Sequence, residues 1–163
     1  MELTKEREQE IADMANAEWV HSIPDNIPYN DPQIEALELE WDKKALNFCK
    51  HNTNPLELHA FANLFNWDQG SDLLLDIVRN PNCDFGTAKL IFWRAQPDYY
   101  QVFADRADVP TVNFEGWDFI RSVLNVCEGR NFKTSKIAYD PKTDFCEPAP
   151  TSKAKWDIPE KFF

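Results

Sequence analysis

The stretch NPNCDFGTAKLIFW, from Asn80 to Trp93, ends one predicted helix and begins another. Pro81 disfavours helical geometry at the residue before it, so the first helix ends by Asn80. Asp84 is a favourable N-cap for the apolar run that follows. One face of that second helix carries Phe85, Ala88, Ile91, Phe92 and Ala95. The stretch therefore predicts an Asp84-capped helix that Pro97 ends. Trp67 and Trp93 are both predicted to be largely buried.

The same chemistry marks other helix starts along the chain. Asp31-Pro32 and Asn54-Pro55 each place a capping side chain before a proline, which has no N–H to leave unpaired. Glu57 stands where a capping box has its acid. Further helices are predicted over 5–20, around 73–78 and over 114–128. Apolar faces are evident on four of these helices. The helix over 5–20 carries Ile11, Met14, Ala15 and Trp19, and the helix after Asp31 carries Ile34, Leu37, Trp41, Ala45 and Phe48. The helix after Asn54 carries Leu58, Phe61, Ala62 and Phe65, and the helix over 114–128 carries Trp117, Ile120, Leu124 and Cys127.

Residues 130–163 carry four of the eleven prolines and no sustained period. We predict a helical body, 1–129, with an extended tail, 130–163, packed on it. The predicted tail anchors are Ile137, Tyr139, Phe145, Trp156, Ile158 and Phe163. Tryptophans at 19, 41, 67, 93 and 117 recur every 22 to 26 residues. The fold class is thus all-α, either stacked hairpins as in HEAT and armadillo repeats or an irregular bundle in which the spacing is chance.

The overall charge is strongly acidic. The 163 residues carry a formal net charge of −11, which disfavours nucleic acid and anionic membranes as partners. Residues 1–60 hold 13 acids and 5 bases, whereas residues 130–163 hold 5 acids and 7 bases. No apolar leader and no membrane-length apolar run is evident, so we expect a cytoplasmic location.

Cys83 and Gly86 admit two interpretations. A thiolate at Cys83 would be favoured by the following helix dipole, but the neighbouring Asp84 opposes its ionisation. The structural interpretation is a helix start at which Gly86 lets another segment approach closely. The four cysteines form no CxxC pair, and a disulfide framework is not expected.

Two segments together resemble the domain-of-unknown-function family 4274. They are LHAFANLFNWDQG and NPNCDFGTAKLIFW, within 58–93. The residues that carry the resemblance are Leu58, His59, Asn66, Trp67, Asp68, Gly70, Asn82, Cys83, Asp84, Gly86, Thr87 and Ala88. The resemblance implies a small bacterial helical protein and supplies no reaction.

The candidate site residues are acidic. Asp68, Asp72 and Asp76 step by four, so they line one side of a helix if it begins early enough. Such a row could hold Mg²⁺ or Ca²⁺, or it is a solvated face. Glu35, Glu38 and Asp42 form a second acidic row. His59 is interpreted as a core or capping histidine. No His or Cys spacing predicts a zinc site, and no cofactor is expected.

These observations favour a non-enzymatic protein that binds a basic protein partner through its acidic rows. The most concrete form is an immunity protein that neutralises a secreted toxin, for which a nuclease is one candidate, since an acidic inhibitor suits a basic active site. The alternatives are a metal-dependent hydrolase using Asp68, Asp72 and Asp76, with or without His59, and a structural adaptor.

Overall fold

A computed structural model describes residues 3–24, 26–28, 31–144 and 146–163, and only the backbone of Ser22. Within these ranges the chain forms α-helices joined by loops and short 3-10 turns, without a strand. The helices are α1 (Lys5–Ala15), α2 (Pro32–His51), α3 (Pro55–Leu64), α4 (Asp72–Arg79), α5 (Phe85–Arg94), α6 (Pro97–Gln101) and α7 (Phe114–Glu128). The all-α prediction is confirmed.

The chain divides into two compact units, Met1–Asn82 and Cys83–Phe163. The separation of a body, 1–129, from a tail, 130–163, stays a prediction. In the first unit α1 packs mainly on α3, and α2 mainly on α4. Each main pair therefore skips one helix, which fits an irregular bundle rather than hairpins of sequence neighbours.

The first helix is shorter than predicted. It ends at Ala15, where the Asn16 side chain donates a hydrogen bond to the Ala12 carbonyl. Ala17 then adopts a left-handed backbone with φ 51°, which an L-residue rarely takes and which no helix continues through. Residues Glu18–Ser22 form a separate 3-10 turn. The expectation of one helix over 5–20 was wrong because periodicity alone does not reveal such a break.

The second helix begins as predicted, with the Asp31 carboxylate accepting the Gln33 N–H and Pro32 in the first turn. Ile34, Ala45 and Phe48 are buried, but Leu37 is exposed. Leu37 was assigned to the apolar face, and that assignment was wrong. Between Ile34 and Ala45, α2 buries no residue, so its N-terminal half is largely surrounded by solvent.

The third helix also begins at its predicted cap, with Asn54 accepting the Leu56 N–H. Glu57 does not complete a capping box, since the Asn54 N–H is taken by Asn52 Oδ1. The Glu57 carboxylate instead accepts hydrogen bonds from the side chains of Arg7, Asn52 and Asn54. It thus ties α1 to the start of α3.

The buried amide of Asn80 ends α4 and joins it to the end of α2. Its Nδ2 donates to the carbonyl oxygens of Cys49 and Asn52 at 2.9 and 3.0 Å. Its Oδ1 accepts the Asn82 N–H at 2.8 Å. One side chain therefore satisfies two carbonyl groups at the end of α2 and a backbone N–H just after α4.

In the second unit, α5 begins at Asp84, whose carboxylate accepts the Gly86 N–H as predicted. Trp93 is buried as predicted. The same prediction was wrong for Trp67 of the first unit, which lies in a 3-10 turn without a buried residue and is only half-buried. Pro97 ends α5 but also begins the short α6, which the sequence reading missed. The last helix, α7, has the predicted bounds and apolar face, and it packs on α5.

Residues 130–144 and 146–163 form loops and short 3-10 turns. Ile158 and Phe162 are buried, and the Trp93 indole N–H donates to the Phe162 carbonyl at 2.7 Å. Among the predicted anchors, Ile137, Tyr139 and Trp156 are half-buried, and Phe145 lies outside the described residues. Phe163 is 57% exposed, although its ring centroid lies 5.4 Å from that of buried Trp93.

Candidate functional site

An open groove in the first unit brings three of the predicted acidic residues together. It has a volume of about 540 Å³. We call it the acidic groove, and its lining includes Ala17, Trp19, Val20, His21, Glu38, Trp41, Asp42, Asn66, Asp68 and Gln69. The carboxylates are those of Glu38, Asp42 and Asp68, and all three residues are exposed.

Two different elements supply these carboxylates. Glu38 and Asp42 lie one turn apart on α2, so they face the same way. Asp68 lies in the 3-10 turn Trp67–Gln69, which Asn66 caps by accepting the Asp68 N–H at 3.0 Å. The Asn66 N–H in turn donates to the Ala15 carbonyl at the end of α1. The turn carrying Asp68 is thus fixed to the same bundle as α2.

Aromatic side chains complete the groove. Trp41 is half-buried and donates its indole N–H to the Met14 carbonyl at 2.9 Å, which fixes its ring beside Glu38 and Asp42. Trp19 and Val20 arrive from the 3-10 turn that follows the left-handed Ala17. Sequence reading had assigned both tryptophans to apolar helix faces. The break at Ala17 that places Trp19 here left no periodic signal.

The groove carboxylates are available for an external cation. Among the residues that the structure describes, none of Glu38, Asp42 and Asp68 makes an ion pair. His21 also lines the groove, and its Nε2 lies 3.4 Å from Glu18 Oε2. Carboxylates gathered in a concave surface reinforce one another's negative potential and attract cations.

The other predicted site residues lie elsewhere. Glu35 is exposed in the first turn of α2, and Asp72 is exposed in the first turn of α4. Asp76 lies 3.7 Å from the ammonium of Lys50, and its side chain is only 16% exposed. An acid that is largely covered and already has a cationic neighbour is poorly placed to contact a partner.

The aspartate row proposed for a metal does not form on one helix. Helix α4 begins at Asp72, so Asp68 precedes it in a separate turn. Across the described ranges, no group of three or more His, Cys, Asp or Glu side chains is arranged to hold a metal ion. His59 is half-buried on α3.

The cysteine thiols are in environments that disfavour the thiolate. Burial raises the pKa of Cys83 to about 12 and that of Cys127 to about 11. Burial also raises the pKa of Cys49. A thiol that keeps its proton at neutral pH is a poor nucleophile, so Cys83 fits the helix-start interpretation better than the reactive one.

Comparison with known families then gives one match. Residues 53–125 match the family model described as Domain of unknown function (DUF4274). The resemblance predicted from the two sequence segments is therefore supported. Searches of curated proteins and of solved structures gave no match to the chain.

The DUF4274 match runs from just before α3 into α7 and includes one part of the acidic groove, Asn66 to Gln69. The side chains of Glu38, Asp42 and Trp41 come from α2, outside the matched residues. Several residues that carry the resemblance have structural tasks: Asn66 and Asp84 are caps, and Gly70 has φ 85°, which favours glycine. None of the described helices is both long and apolar enough to cross a membrane.

Proposed function

We propose that this protein is a non-enzymatic binding protein whose acidic groove docks a basic protein partner. The observation that supports it most is that Glu38, Asp42, Asp68 and Trp41 line the same groove. Carboxylates that share a groove with an indole suit the side chain of arginine or lysine. A guanidinium or ammonium group gains charge-assisted hydrogen bonds from the carboxylates and a cation–π contact from the ring.

The exposed part of α2 extends this surface beyond the groove. Leu39 and Leu46 are 52% and 39% exposed, although they belong to a helix of the bundle. They alternate with Glu35 and Asp42 along one stripe, at positions 35, 39, 42 and 46. Apolar side chains among charged ones are typical of a protein interface, in which the apolar groups are covered and the charges select the partner.

The most concrete form of this proposal is an immunity protein acting in the cytoplasm against a secreted toxin. A toxin that binds nucleic acid has a basic site, because it must neutralise phosphates. A protein with a net charge of −11 and an acidic groove is complementary to such a site and is repelled by the nucleic acid itself. Charge complementarity is the whole support for the toxin, and a nuclease is one example.

The rival functions make different demands on the same residues. A hydrolase needs Asp68, Asp72 and Asp76 to act as one group, and the turn that separates Asp68 from α4 argues against this. A structural adaptor needs surfaces for at least two partners. The acidic groove and the α2 stripe adjoin, so they favour one partner over two.

The experiment compares two charge-reversal variants against the captured partner. The groove variant is Glu38→Lys, Asp42→Lys and Asp68→Lys. The control variant is Glu115→Lys, Glu128→Lys and Asp157→Lys, which reverses three exposed acids of the second unit. Both change the net charge equally, so any difference between them reports position rather than total charge.

The partner is captured from native lysate and purified. Its affinity for the wild type, the groove variant and the control variant is then measured by titration calorimetry. The proposal expects a basic partner, with the groove variant binding at least about tenfold more weakly than the control variant. An acidic partner, or equal loss of affinity in both variants, contradicts it.

A further inference from the structure

A second cavity lies in the second unit, between α5 and two stretches of chain, residues 139–142 and 146–151. Its volume is about 720 Å³, within the range of roughly 300–1,000 Å³ that small-molecule sites occupy. Its walls are rich in rings, those of Trp93, Tyr139, Pro141, Pro148, Pro150 and Phe163. Nothing in the proposed function uses this cavity, and none of its residues belongs to the acidic groove.

The wall is held in shape by polar contacts that point away from a ligand. The Tyr139 hydroxyl donates to Asp144 at 3.0 Å, and the Arg94 guanidinium donates to the same carboxylate at 2.8 Å. The Cys146 N–H donates to the Pro141 carbonyl at 3.0 Å. These bonds hold the wall segment against α5, so the cavity is formed before a ligand binds. The entropy cost of ordering the site on binding is therefore lower.

The charges around the cavity decide the class of ligand. The side chains of Lys89 and Lys142 are matched in number by those of Asp140 and Glu147, so the side chains that line the cavity carry no formal net charge. Asp140 already accepts the Lys142 backbone N–H at 3.0 Å, and Lys89 donates to the Phe163 carbonyl oxygen at 2.8 Å. A balanced rim gives an ion no advantage, whereas aromatic and proline rings offer flat apolar faces for stacking.

We propose that this cavity binds an uncharged, ring-bearing small molecule. The rings of Tyr139, Trp93 and Phe163 supply apolar contact. Among the lining residues, Thr151 supplies a hydroxyl group that can orient the ligand. This cavity shares no residue with the acidic groove, so the proposal for the cavity and the proposed function can each be refuted without affecting the other.

The probe is 2-naphthol, which is bicyclic and uncharged at pH 7, with 2-naphthalenesulfonate and 2-naphthylmethylammonium as charged counterparts. Binding is followed by backbone amide NMR shifts of the full chain. Ala149→Trp fills the cavity, because Ala149 lines it and uses only its backbone N–H, which donates to Gln101. Ala107→Trp adds the same side chain to an exposed turn of the same unit and is the matched control.

We expect saturable one-to-one binding of 2-naphthol, with the largest shifts at residues 139–151. Ala149→Trp weakens it at least about tenfold and Ala107→Trp leaves it unchanged, while neither charged probe binds more tightly. Absence of saturation, equal behaviour of the two variants, or about tenfold tighter binding of a charged probe overturns the proposal. If circular dichroism shows that Ala149→Trp does not fold, Thr151→Trp, at an exposed lining position, decides by the same criteria.

Discussion

The carboxylate of Asp84 accepts the backbone N–H of Lys136 at 2.9 Å, across 52 residues of chain. The other carboxylate oxygen accepts the N–H groups of Gly86 and Ile137. Asp84 is 1% exposed, so this buried charge is satisfied by three backbone donors. One side chain thereby both begins α5 and holds the segment that follows α7.

Replacing Asp84 with Ala should destabilise the protein by more than an ordinary cap loss. A lost N-cap costs about 0.5–2 kcal/mol, and leaving two further buried N–H groups unsatisfied adds to this, so we expect roughly 3 kcal/mol. Asp84→Asn keeps one acceptor oxygen and should lose less. Urea denaturation monitored by tryptophan fluorescence measures both. A loss below about 1 kcal/mol for Asp84→Ala would show that the tail contacts contribute little.

Gly86→Ala should be destabilising although alanine is the better helix former. A Cβ at Gly86 would lie 2.0 Å from the Ile137 carbonyl oxygen, so the backbone has to move. We expect a cost of about 1–3 kcal/mol, against a propensity gain of up to about 1 kcal/mol. At Gly129 the nearest atom lies at 3.5 Å, so Gly129→Ala is the control and should be close to neutral. A more stable Gly86→Ala protein would mean that the tail does not pack as described.

The stability of the protein should fall at alkaline pH because of Cys83. Burial raises its pKa to about 12, whereas an unfolded cysteine titrates near ~8.5. Between these values the unfolded state binds fewer protons, so the free energy of unfolding falls as pH rises. The slope from this thiol is about −1.4 kcal/mol per pH unit. Denaturant titrations from pH 8 to 10 should give a shallower slope for Cys83→Ala. Parallel slopes for the two proteins would refute this account of the thiol.

The contact between Glu57 and Arg7 should stabilise the first unit above acid pH. The hydrogen bond from Arg7, helped by Asn52 and Asn54, holds the pKa of Glu57 below its ordinary value. A lowered pKa gives stability that is present above the unfolded value of about 4.3 and is lost as pH falls through the folded value.

Glu57→Gln should therefore lower the free energy of unfolding by roughly 1 kcal/mol at pH 7 and by much less at pH 3. The loss at pH 7 is modest because solvent around Arg7 screens the contact. Glu10→Gln, which removes the more exposed partner of Arg7, is the control and should cost under about 0.5 kcal/mol. Thermal unfolding at both pH values measures the difference. An equal cost for Glu57→Gln at pH 7 and pH 3 would show that ionisation of Glu57 does not matter.

Sequence reasoning located helix starts well because their chemistry is local. Asp31, Asn54 and Asp84 each cap within two residues of themselves, so a few letters suffice to find them. The acidic groove was only half visible. Glu38 and Asp42 share a helix face, but Asp68 and Trp19 reach the groove through turns and through long-range packing of α1 on α3.

The same limit explains the wrong extension of α1 to Val20. The apolar period continues through Trp19, yet the backbone turns at Ala17. A left-handed alanine carries no sequence signature such as glycine would give. The hydrogen bond between the Asp84 carboxylate and the Lys136 N–H joins positions so distant in sequence that no local pattern relates them.

The proposed partner surface is tested most directly by the kinetics of association. Stopped-flow mixing of the purified partner with wild type, groove variant and control variant is performed at 0.01 M and 0.15 M salt. The Debye length falls from ~30 Å to ~8 Å between these conditions, so attraction by the groove is strongest in the first. We predict that the groove variant associates about tenfold more slowly than the control variant at low salt, and that this gap narrows at 0.15 M. Equal association rates of the two variants at low salt would contradict the claim that the acidic groove receives the partner.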